Sequence, residues 1–233
     1  MWLMTTKGRP AAAEQVLGEC WDKGMRQRAI MYVDGNAEGY DFTRPDNWGV
    51  FYGNGNLAGS KRWILENFPD EDCYGWLADD NHPVTMHFSD YIEEVARPWK
   101  LVHCRDDFVS EMDYKNQKIL HVTGNLGGGL CWGGDLIRSV GWWSPPGITQ
   151  ASIDWTWTTL CKDTPLGVYL HNIKVRHDNH ATGRRSKDAT DEWGPHMEPD
   201  IATIKRFRLS QDFHDMKVRV LREYTDYCRG IQS

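Results

Sequence analysis

Short apolar runs alternate with helix-spaced segments through the first half of the chain. A helix is predicted from about Ala11 to Lys23, directly after Pro10, and a second near Ser60–Asn67. This alternation predicts a largely parallel sheet flanked by helices, which is an α/β fold. The apolar runs predict strands at Trp2–Thr5, Ala29–Val33, Trp48–Tyr52 and Tyr74–Ala78.

The second half of the chain has a weaker pattern. The glycines of Gly127–Gly134 predict a loop, and residues 178–198, which hold few aliphatic side chains, predict a long surface loop. The partly helical spacing of apolar residues in Ile201–Arg229 predicts a C-terminal helical extension. The remaining predicted elements are strands at Leu101–His103, Ile119–Val122 and Val168–Val175, and helices at Asp135–Val140 and Ile153–Cys161.

The composition stands out in its aromatic residues. The chain has 233 residues with 12 Trp, 9 Tyr and 7 Phe, yet its mean hydropathy is −0.63. Because tryptophan combines a flat apolar ring with one N–H donor, this excess predicts that some rings line a ligand cleft. The alternative is that the rings fill the core in place of aliphatic residues.

Charge and cysteine content narrow the function classes. The net charge of −6 argues against a general nucleic-acid binder, although bases outnumber acids from Lys205 to Arg229 and allow a local basic face. Six scattered cysteines without a Cys-x-x-Cys pair fit a reducing compartment. No apolar run reaches the roughly 18 residues that span a bilayer, and the first residues lack a signal peptide's apolar core. We therefore expect a cytoplasmic protein without a membrane partner.

Polar residues follow three of the predicted strands. They are the loop Thr5–Pro10, Asp34, and the run Asp79–Asn81. Ligands of open α/β sheets bind beyond the carboxyl ends of the strands, so these residues are candidates for a site. Adjacent carboxylates at a strand end suit Mg²⁺ or Mn²⁺, which bridge one or two carboxylates to substrate phosphates. The alternative is that Asp79 and Asp80 only form a turn.

Seven motifs occur in a characteristic order between residues 2 and 192. They are Met4–Pro10, Asp34, Gly59–Arg62, Tyr74–Pro83, Gly129–Gly134 with Val140–Gly147, Ile153–Trp157, and Val175–His177 with Gly183–Arg184. In this order the chain resembles the GT-A glycosyltransferases, which are nucleotide-sugar-dependent enzymes, and especially their small bacterial and phage members. The resemblance implies a GT-A (Rossmann-like) mixed, mostly parallel sheet flanked by helices.

The resemblance also implies a donor site and a metal site. Asp80 and His177 would bind Mn²⁺ or Mg²⁺, and the motif departs from a third Asp at Asn81, which favours Asp80 over Asp79 as the ligand. His180 is an alternative to His177, and the two together allow a zinc site as another interpretation. The implied nucleotide-sugar-binding residues are Thr5, Thr6, Gly8, Arg9, Asp34, Ser60, Arg62, Asp79 and Arg184.

The same resemblance assigns the acceptor side. Asp154 would be the catalytic base that takes the proton of the acceptor hydroxyl. If that hydroxyl attacks from the face opposite the leaving group, transfer would invert the anomeric centre. A helix N-cap is the alternative role of Asp154. The implied acceptor-binding residues are Trp132, Gly133, Trp142 and Trp143.

The implied domain organisation and partners follow from these motifs. Residues 1–192 would form the glycosyltransferase domain, with 1–98 as the nucleotide-sugar half, 99–192 as the acceptor half, and 193–233 as the extension. The donor would be a UDP-hexose, and the acceptor a hydroxymethylated pyrimidine in phage DNA or a carbohydrate or small molecule. A non-catalytic nucleotide-sugar-binding or nucleic-acid-binding protein is the other class. A dinucleotide oxidoreductase is disfavoured, because no Gly-x-Gly-x-x-Gly follows the first strand.

Overall fold

The computed structural model describes residues 1–106, 130–149, 153–161, 164–178 and 197–231. The strands within these ranges are β1 (Trp2–Thr6), β2 (Ala29–Asp34), β3 (Trp48–Gly53), β4 (Cys73–Ala78), β5 (Asn81–Pro83), β6 (Leu101–Asp106), β7 (Leu130–Gly133) and β8 (Gly167–His177). The helices within them are α1 (Pro10–Asp22), α2 (Asn56–Asn67), α3 (Phe88–Ala96), α4 (Gly134–Val140), α5 (Ile153–Cys161), α6 (Met197–Arg208) and α7 (Gln211–Ile231).

The strands form a single mixed sheet in the order β3-β2-β1-β4-β7-β6-β8-β5. β3, β2, β1 and β4 are parallel neighbours, and β6 is parallel to β8. β7 runs antiparallel to both β4 and β6, and β5 runs antiparallel to β8. The predicted mostly parallel α/β sheet is therefore confirmed, and the strands of both halves of the chain belong to one sheet.

Each face of the sheet is covered by helices that bury an apolar stripe. On one face, α1 buries Ala13, Val16, Leu17 and Cys20, which follow helical spacing, and α3 packs beside it. Pro10 opens α1 at the position where its missing N–H is not needed. On the other face, α2, α4, α5, α6 and α7 bury residues that include four tryptophans, tyrosines and many aliphatic side chains. The helical C-terminal extension is confirmed as α6 and α7.

The structure differs from the elements predicted from the sequence in two places. Residues 130–133 were expected to continue a glycine-rich loop, but Leu130–Gly133 is strand β7, paired on both sides. The helix Phe88–Ala96 has no counterpart among the predicted elements. The predicted strand Ile119–Val122, residues 127–129 and most of the predicted loop 178–198 lie outside the described residues.

None of the helices in the described part of the chain is long and apolar enough to cross a membrane. All six cysteines lie in described ranges and are free thiols. Five of them are buried, and burial raises the pKa of Cys161 to about 12, so this thiol stays protonated.

Candidate functional site

The carboxyl ends of β1, β2 and β4 lie side by side along one edge of the sheet, here called the carboxyl edge. The strands are parallel neighbours, and Thr5 of β1 stands opposite Ala78 of β4 in the register. β8 ends at the same edge, because its last residue, His177, pairs with Asn81 directly after the acidic pair. The sheet topology thus brings four separate polar segments of the sequence together.

Asp79 is the most enclosed of the predicted site residues. Its side chain is fully buried. The Thr6 hydroxyl donates a hydrogen bond to Asp79 Oδ2 at 2.7 Å, and Arg9 Nη2 lies 2.6 Å from Asp79 Oδ1. A buried carboxylate requires such partners, because an uncompensated charge is strongly disfavoured away from water. The structure therefore joins three residues that the sequence assigned to one donor site.

Asp80 and His177 face each other across the turn that follows β4. Asp80 Oδ1 lies 3.4 Å from His177 Nε2, and Asp80 Oδ2 lies 3.6 Å from Arg9 Nη1. The N–H of Asp178 donates to the Asp80 carbonyl at 2.9 Å, which fixes the two segments relative to each other. The predicted metal ligands are thus neighbours in space although 97 positions apart in the sequence (177 − 80).

The donor atoms of this pair fit a shared divalent ion. Two ligands of one octahedral ion at about 2.1 Å lie roughly 3.0 Å apart, close to the 3.4 Å that separates Asp80 Oδ1 from His177 Nε2. Within the described ranges, no group of three or more His, Cys, Asp or Glu side chains is placed to hold a metal ion. Because one carboxylate and one imidazole supply only two donor atoms, an ion of the Mg²⁺ or Mn²⁺ type held by this pair would complete its shell with phosphate oxygens and water.

Asp34 forms a second polar group at the same edge. Its Oδ2 lies 3.0 Å from Lys7 Nζ, and its Oδ1 accepts a hydrogen bond from the N–H of Asn56, the first residue of α2, at 3.2 Å. Between Lys7 and Arg9, Gly8 adopts a left-handed φ of +65°, a conformation that favours glycine. Thr5 accepts a hydrogen bond from the Trp76 indole at 3.1 Å.

Two site residues were not predicted from the sequence. The hydroxyl of buried Tyr40 is hydrogen-bonded to Thr6 Oγ1 at 2.9 Å and accepts from the Arg9 N–H at 3.0 Å, so it shapes the loop that carries Arg9. His82 bridges Glu19 on α1, at 2.7 Å, and Asp178, at 3.3 Å. Tyr40 lies in an irregular segment without a local signal. His82 directly follows the run Asp79–Asn81, and this position in the sequence is the signal that could have marked it as a site residue.

The predicted residues on α2 do not reach the acidic pair. The Ser60 hydroxyl is buried and donates to the Leu57 carbonyl of its own helix at 2.8 Å. Arg62 Nη1 lies 3.4 Å from the Ile148 carbonyl. Between them, Lys61 is buried with its Nζ 4.5 Å from the ring centroid of Trp76 and just over 5 Å from those of Trp132 and Trp143.

The predicted acceptor residues Trp132 and Gly133 lie away from the carboxyl edge. β7 is antiparallel to β4, so Gly133 pairs with Cys73, at the start of β4, five residues before Ala78. At about 3.3 Å per strand residue this places Gly133 roughly 17 Å from that edge. The Trp132 side chain is fully buried. In this structure neither residue offers a surface to an acceptor, because antiparallel pairing directs the chain towards the opposite edge.

The rings of Trp142 and Trp143 belong to the same packed cluster. Trp143 is 1% exposed and its ring centroid lies 5.1 Å from that of Trp132. Trp142 is half-buried between Trp157, at 5.2 Å, and Phe207 of α6, at 6.0 Å. Edge-to-face contacts at these distances are typical of core packing. The rings that were expected to line a cleft therefore pack between the sheet and the helices, and stacking of an acceptor on them stays a prediction.

The side chains of two predicted site residues lie outside the described part of the structure. Asp154 is the second residue of helix α5, and its side chain lies outside the described residues. Arg184 belongs to the undescribed residues 179–196. Their roles as base and donor ligand stay predictions.

Comparison with known proteins gives a structural relationship and no sequence relationship. No family model matches the sequence, and no curated protein matches it. The fold is similar to that of GalNAc-T7, solved with UDP, GalNAc and Mn²⁺, with a TM-score of 0.60 and 8% identity over 92% of this chain. That match covers 48% of the GalNAc-T7 chain, so the present chain spans about half its length.

Two further solved structures match at similar levels. HddC from Yersinia pseudotuberculosis has a TM-score of 0.51 and 11% identity, over 88% of this chain and 98% of HddC. Rv0371c from Mycobacterium tuberculosis H37Rv has a TM-score of 0.50 and 14% identity, over 79% and 97%. Such low identities establish the fold alone. The chain has a GT-A-like fold, as the sequence resemblance implied.

Proposed function

We propose that the chain is a metal-dependent glycosyltransferase that moves a hexose from a UDP-sugar to an acceptor hydroxyl. The observation that carries the proposal is the grouping of Thr6, Arg9, Asp79, Asp80 and His177 at the carboxyl edge of a GT-A-like sheet. Ligands of open α/β sheets bind at this edge. An acidic pair, an imidazole and a guanidinium are the groups that a divalent ion and a diphosphate require together.

The donor is assigned to the loop between β1 and α1 and to the acidic residues around it. Asp34 would contact the base, Asp79 the ribose, and Arg9 the diphosphate, next to the amino end of α1, whose partial positive charge favours anions. Asp80 and His177 would hold Mn²⁺ or Mg²⁺. When bound, the ion would neutralise the negative charge that develops on the leaving diphosphate. Arg184 in the basic segment 184–187 would contact the same phosphates.

The proton of the acceptor hydroxyl is assigned to Asp154. A hydroxyl is a poor nucleophile, and a carboxylate within hydrogen-bond reach takes its proton as the bond to the sugar forms. Transfer from the face opposite the diphosphate would invert the anomeric centre. Analysis of the product by NMR tests this point, and retained configuration would refute inversion.

A hydroxymethylated pyrimidine in DNA is the acceptor that we propose to test first, against a carbohydrate or small molecule. Lys205, Arg206 and Arg222 are exposed on α6 and α7, and their positive charges would bind the backbone phosphates of DNA. Two other bases are used within the protein, since Lys217 donates to the Thr159 carbonyl and Arg219 to that of Ser139. Transfer of labelled sugar to hydroxymethylated DNA, compared with unmodified DNA and with free saccharides, decides between these acceptors.

The first experiment is a donor screen by thermal shift with UDP-glucose and UDP-galactose, with and without Mn²⁺. A donor at 100 times its Kd stabilises the folded state by about 2.7 kcal/mol, which corresponds to a Tm increase of about 5–10 °C for a chain of this size. The increase should require Mn²⁺ and should be lost in Asp80→Asn. Asp70→Asn, which alters an exposed carboxylate away from the site, is the matched control. If no UDP-sugar stabilises the protein in Mn²⁺, the proposal is refuted.

Two measurements separate this function from its alternatives. A binding protein and an enzyme would both retain donor affinity in Asp154→Ala, but only an enzyme would lose turnover. The products identify the transfer itself: release of UDP from a UDP-sugar indicates glycosyl transfer, whereas release of pyrophosphate from UTP and a sugar 1-phosphate indicates nucleotidyl transfer.

A further inference from the structure

The guanidinium of Arg9 lies between the two adjacent carboxylates of the site. Its Nη2 is 2.6 Å from Asp79 and its Nη1 is 3.6 Å from Asp80, while the side chain is 20% exposed. Nε and Nη1 are buried and have no hydrogen-bond partner in the described part of the chain. Arg9 therefore has unused donors and a charge partner that also belongs to the candidate metal pair.

The position of Arg9 creates a conflict with a divalent ion. An ion shared by Asp80 and His177 would lie next to the guanidinium, because Asp80 contacts both groups through its two oxygens. Two positive charges that share one carboxylate as a neighbour repel each other strongly in a partly buried site. A cation that neutralises the acidic pair in the absence of ligand must therefore weaken the binding of the ion.

An arriving diphosphate would remove this conflict. The phosphates carry negative charge next to the loop of Arg9, and a guanidinium binds phosphate in a two-pronged geometry in which Nη2 acts together with Nε or Nη1. Nε and Nη1 have no hydrogen-bond partner among the described residues, and Nη2 becomes available when it leaves Asp79. Gly8, with its left-handed backbone, precedes Arg9 and leaves open space around its own Cα, so the loop is not crowded at this point.

We propose that Arg9 is an exchangeable counter-ion: it neutralises Asp79 and Asp80 in the free protein and moves to the diphosphate when the nucleotide binds. This inference rests on the proposed function, because it assumes a diphosphate ligand and an ion at Asp80 and His177. Its consequence is that Mn²⁺ and the nucleotide bind cooperatively, each raising the affinity of the other by the same factor. Arg9 thereby couples the two events, so that neither Mn²⁺ nor the nucleotide binds at full affinity until the other is present.

The experiment measures Mn²⁺ binding by calorimetry, with and without saturating UDP, in the wild type and in Arg9→Gln. Without UDP, Arg9→Gln should bind Mn²⁺ about tenfold more tightly than the wild type, because the competing cation is gone. The ratio of the Mn²⁺ Kd without UDP to the Mn²⁺ Kd with UDP should be about tenfold smaller in Arg9→Gln than in the wild type. A factor of this size is typical of the coupling between two binding sites. Equal or weaker Mn²⁺ binding by Arg9→Gln without UDP would overturn the proposal.

Lys7→Gln is the matched control for charge. It removes one positive charge from the same loop, but Lys7 is exposed and pairs with Asp34 instead of the acidic pair. Its Mn²⁺ affinity without UDP should equal that of the wild type. A gain in Lys7→Gln as large as that in Arg9→Gln would show a general charge effect and would overturn the specific role of Arg9.

A stability measurement covers the case in which Arg9→Gln is poorly folded. Removing Arg9 leaves Asp79 buried without its guanidinium, so the Tm of Arg9→Gln in EDTA should fall below that of the wild type. Mn²⁺ should raise the Tm of this variant by more than it raises the Tm of the wild type.

Arg9→Lys keeps the positive charge but loses the two-pronged guanidinium. It should retain weak Mn²⁺ binding without UDP and show reduced UDP affinity. An equal Tm gain from Mn²⁺ in all three proteins would contradict the proposal.

The outcomes also separate this inference from the proposed function. If the wild type binds Mn²⁺ equally well with and without UDP, the site is a metal site but Arg9 is not an exchangeable counter-ion. If the wild type does not bind Mn²⁺ even with UDP, both the metal role in the proposed function and this inference are wrong.

Discussion

Acid should destabilise this protein through a histidine that lies outside the candidate site. His103 is the third residue of β6, only 3% of its side chain is exposed, and its Nε2 has no hydrogen-bond partner among the described residues. Burial lowers the pKa of His103 to about 3, because the protonated imidazole cannot be solvated there. In the unfolded chain the same group takes up a proton near pH 6.5.

The sign and size of the effect follow from this difference in pKa. At pH 7.5 the imidazole is neutral in both states and contributes nothing to the pH dependence. Below about pH 6.5 the unfolded state binds a proton that the folded state does not, so stability is lost progressively until pH falls to about 3. Each pH unit in this window costs about 1.4 kcal/mol, which gives about 2 kcal/mol at pH 5.

The assay is urea unfolding at pH 7.5 and pH 5.0 of the wild type and of His103→Leu. Carboxylates shift the stability of both proteins with pH, so the informative quantity is the difference between them. The wild type should lose about 2 kcal/mol more than His103→Leu, or about 0.7–1 M in the urea midpoint for slopes of about 2–3 kcal/mol/M, which suit a chain of this size. His214→Asn, on the exposed side of α7, should behave like the wild type. Equal losses in the wild type and His103→Leu would refute the reasoning.

Three further predictions concern the carboxyl edge and the opposite edge of the sheet. Asp80→Asn should lower turnover by at least about 100-fold while the Tm without ligand changes little, as shown by UDP-release assays and thermal unfolding. Gly133→Ala should lower the free energy of unfolding by about 1–3 kcal/mol, since its Cβ would lie 2.1 Å from the Pro98 carbonyl oxygen, yet UDP affinity measured by calorimetry should persist. His82→Ala should lower the unfolding free energy by about 1–3 kcal/mol, because it removes the buried imidazole that bridges Glu19 Oε2 and Asp178; a Tm equal to that of the wild type would contradict this.

The parallel half of the sheet could be predicted from the sequence because its strands are covered by helices on both faces. Such strands appear as continuous apolar runs, and the predicted runs match β1 to β4 to within one residue at each end. Once the strands are parallel neighbours, the polar residues that follow them must share an edge. This is why the grouping of Thr6, Asp79 and Asp80 could be anticipated from one sequence.

In the second half of the chain, the predicted strands Leu101–His103 and Val168–Val175 are found within β6 and β8, but strand β7 was not predicted. The glycines of residues 127–134 indicated a loop, but the two that the structure describes, Gly133 and Gly134, serve close packing. A Cβ on Gly133 would lie 2.1 Å from the Pro98 carbonyl oxygen, and one on Gly134 would lie 2.0 Å from that of Glu71. Local composition gives the same signal for a flexible turn and for a tightly approached strand end.

The contact of Tyr40 with the site also could not be predicted from the sequence. Tyr40 follows β2 in an irregular segment, and its hydroxyl reaches Thr6, 34 positions earlier in the chain, only because the loop folds back over the carboxyl edge. Hydrophobic periodicity carries no information on such a contact. Contacts of this kind depend on the path of a loop, which is set by tertiary packing.

The topology of the second half indicates where an acceptor of the proposed transfer would bind. β7 leads the chain away from the carboxyl edge, and α4 begins at the opposite edge, where the N–H of Gly134 donates to the Asp72 carbonyl. The chain returns at Thr149, whose carbonyl accepts a hydrogen bond from Ala58 in the first turn of α2, next to Asp34. Asp154 follows five positions later (154 − 149). Since Trp132 and Trp143 are packed in the core and Trp142 is half-buried, we expect the acceptor to contact Trp142 or the segment from Ser144 to Asp154.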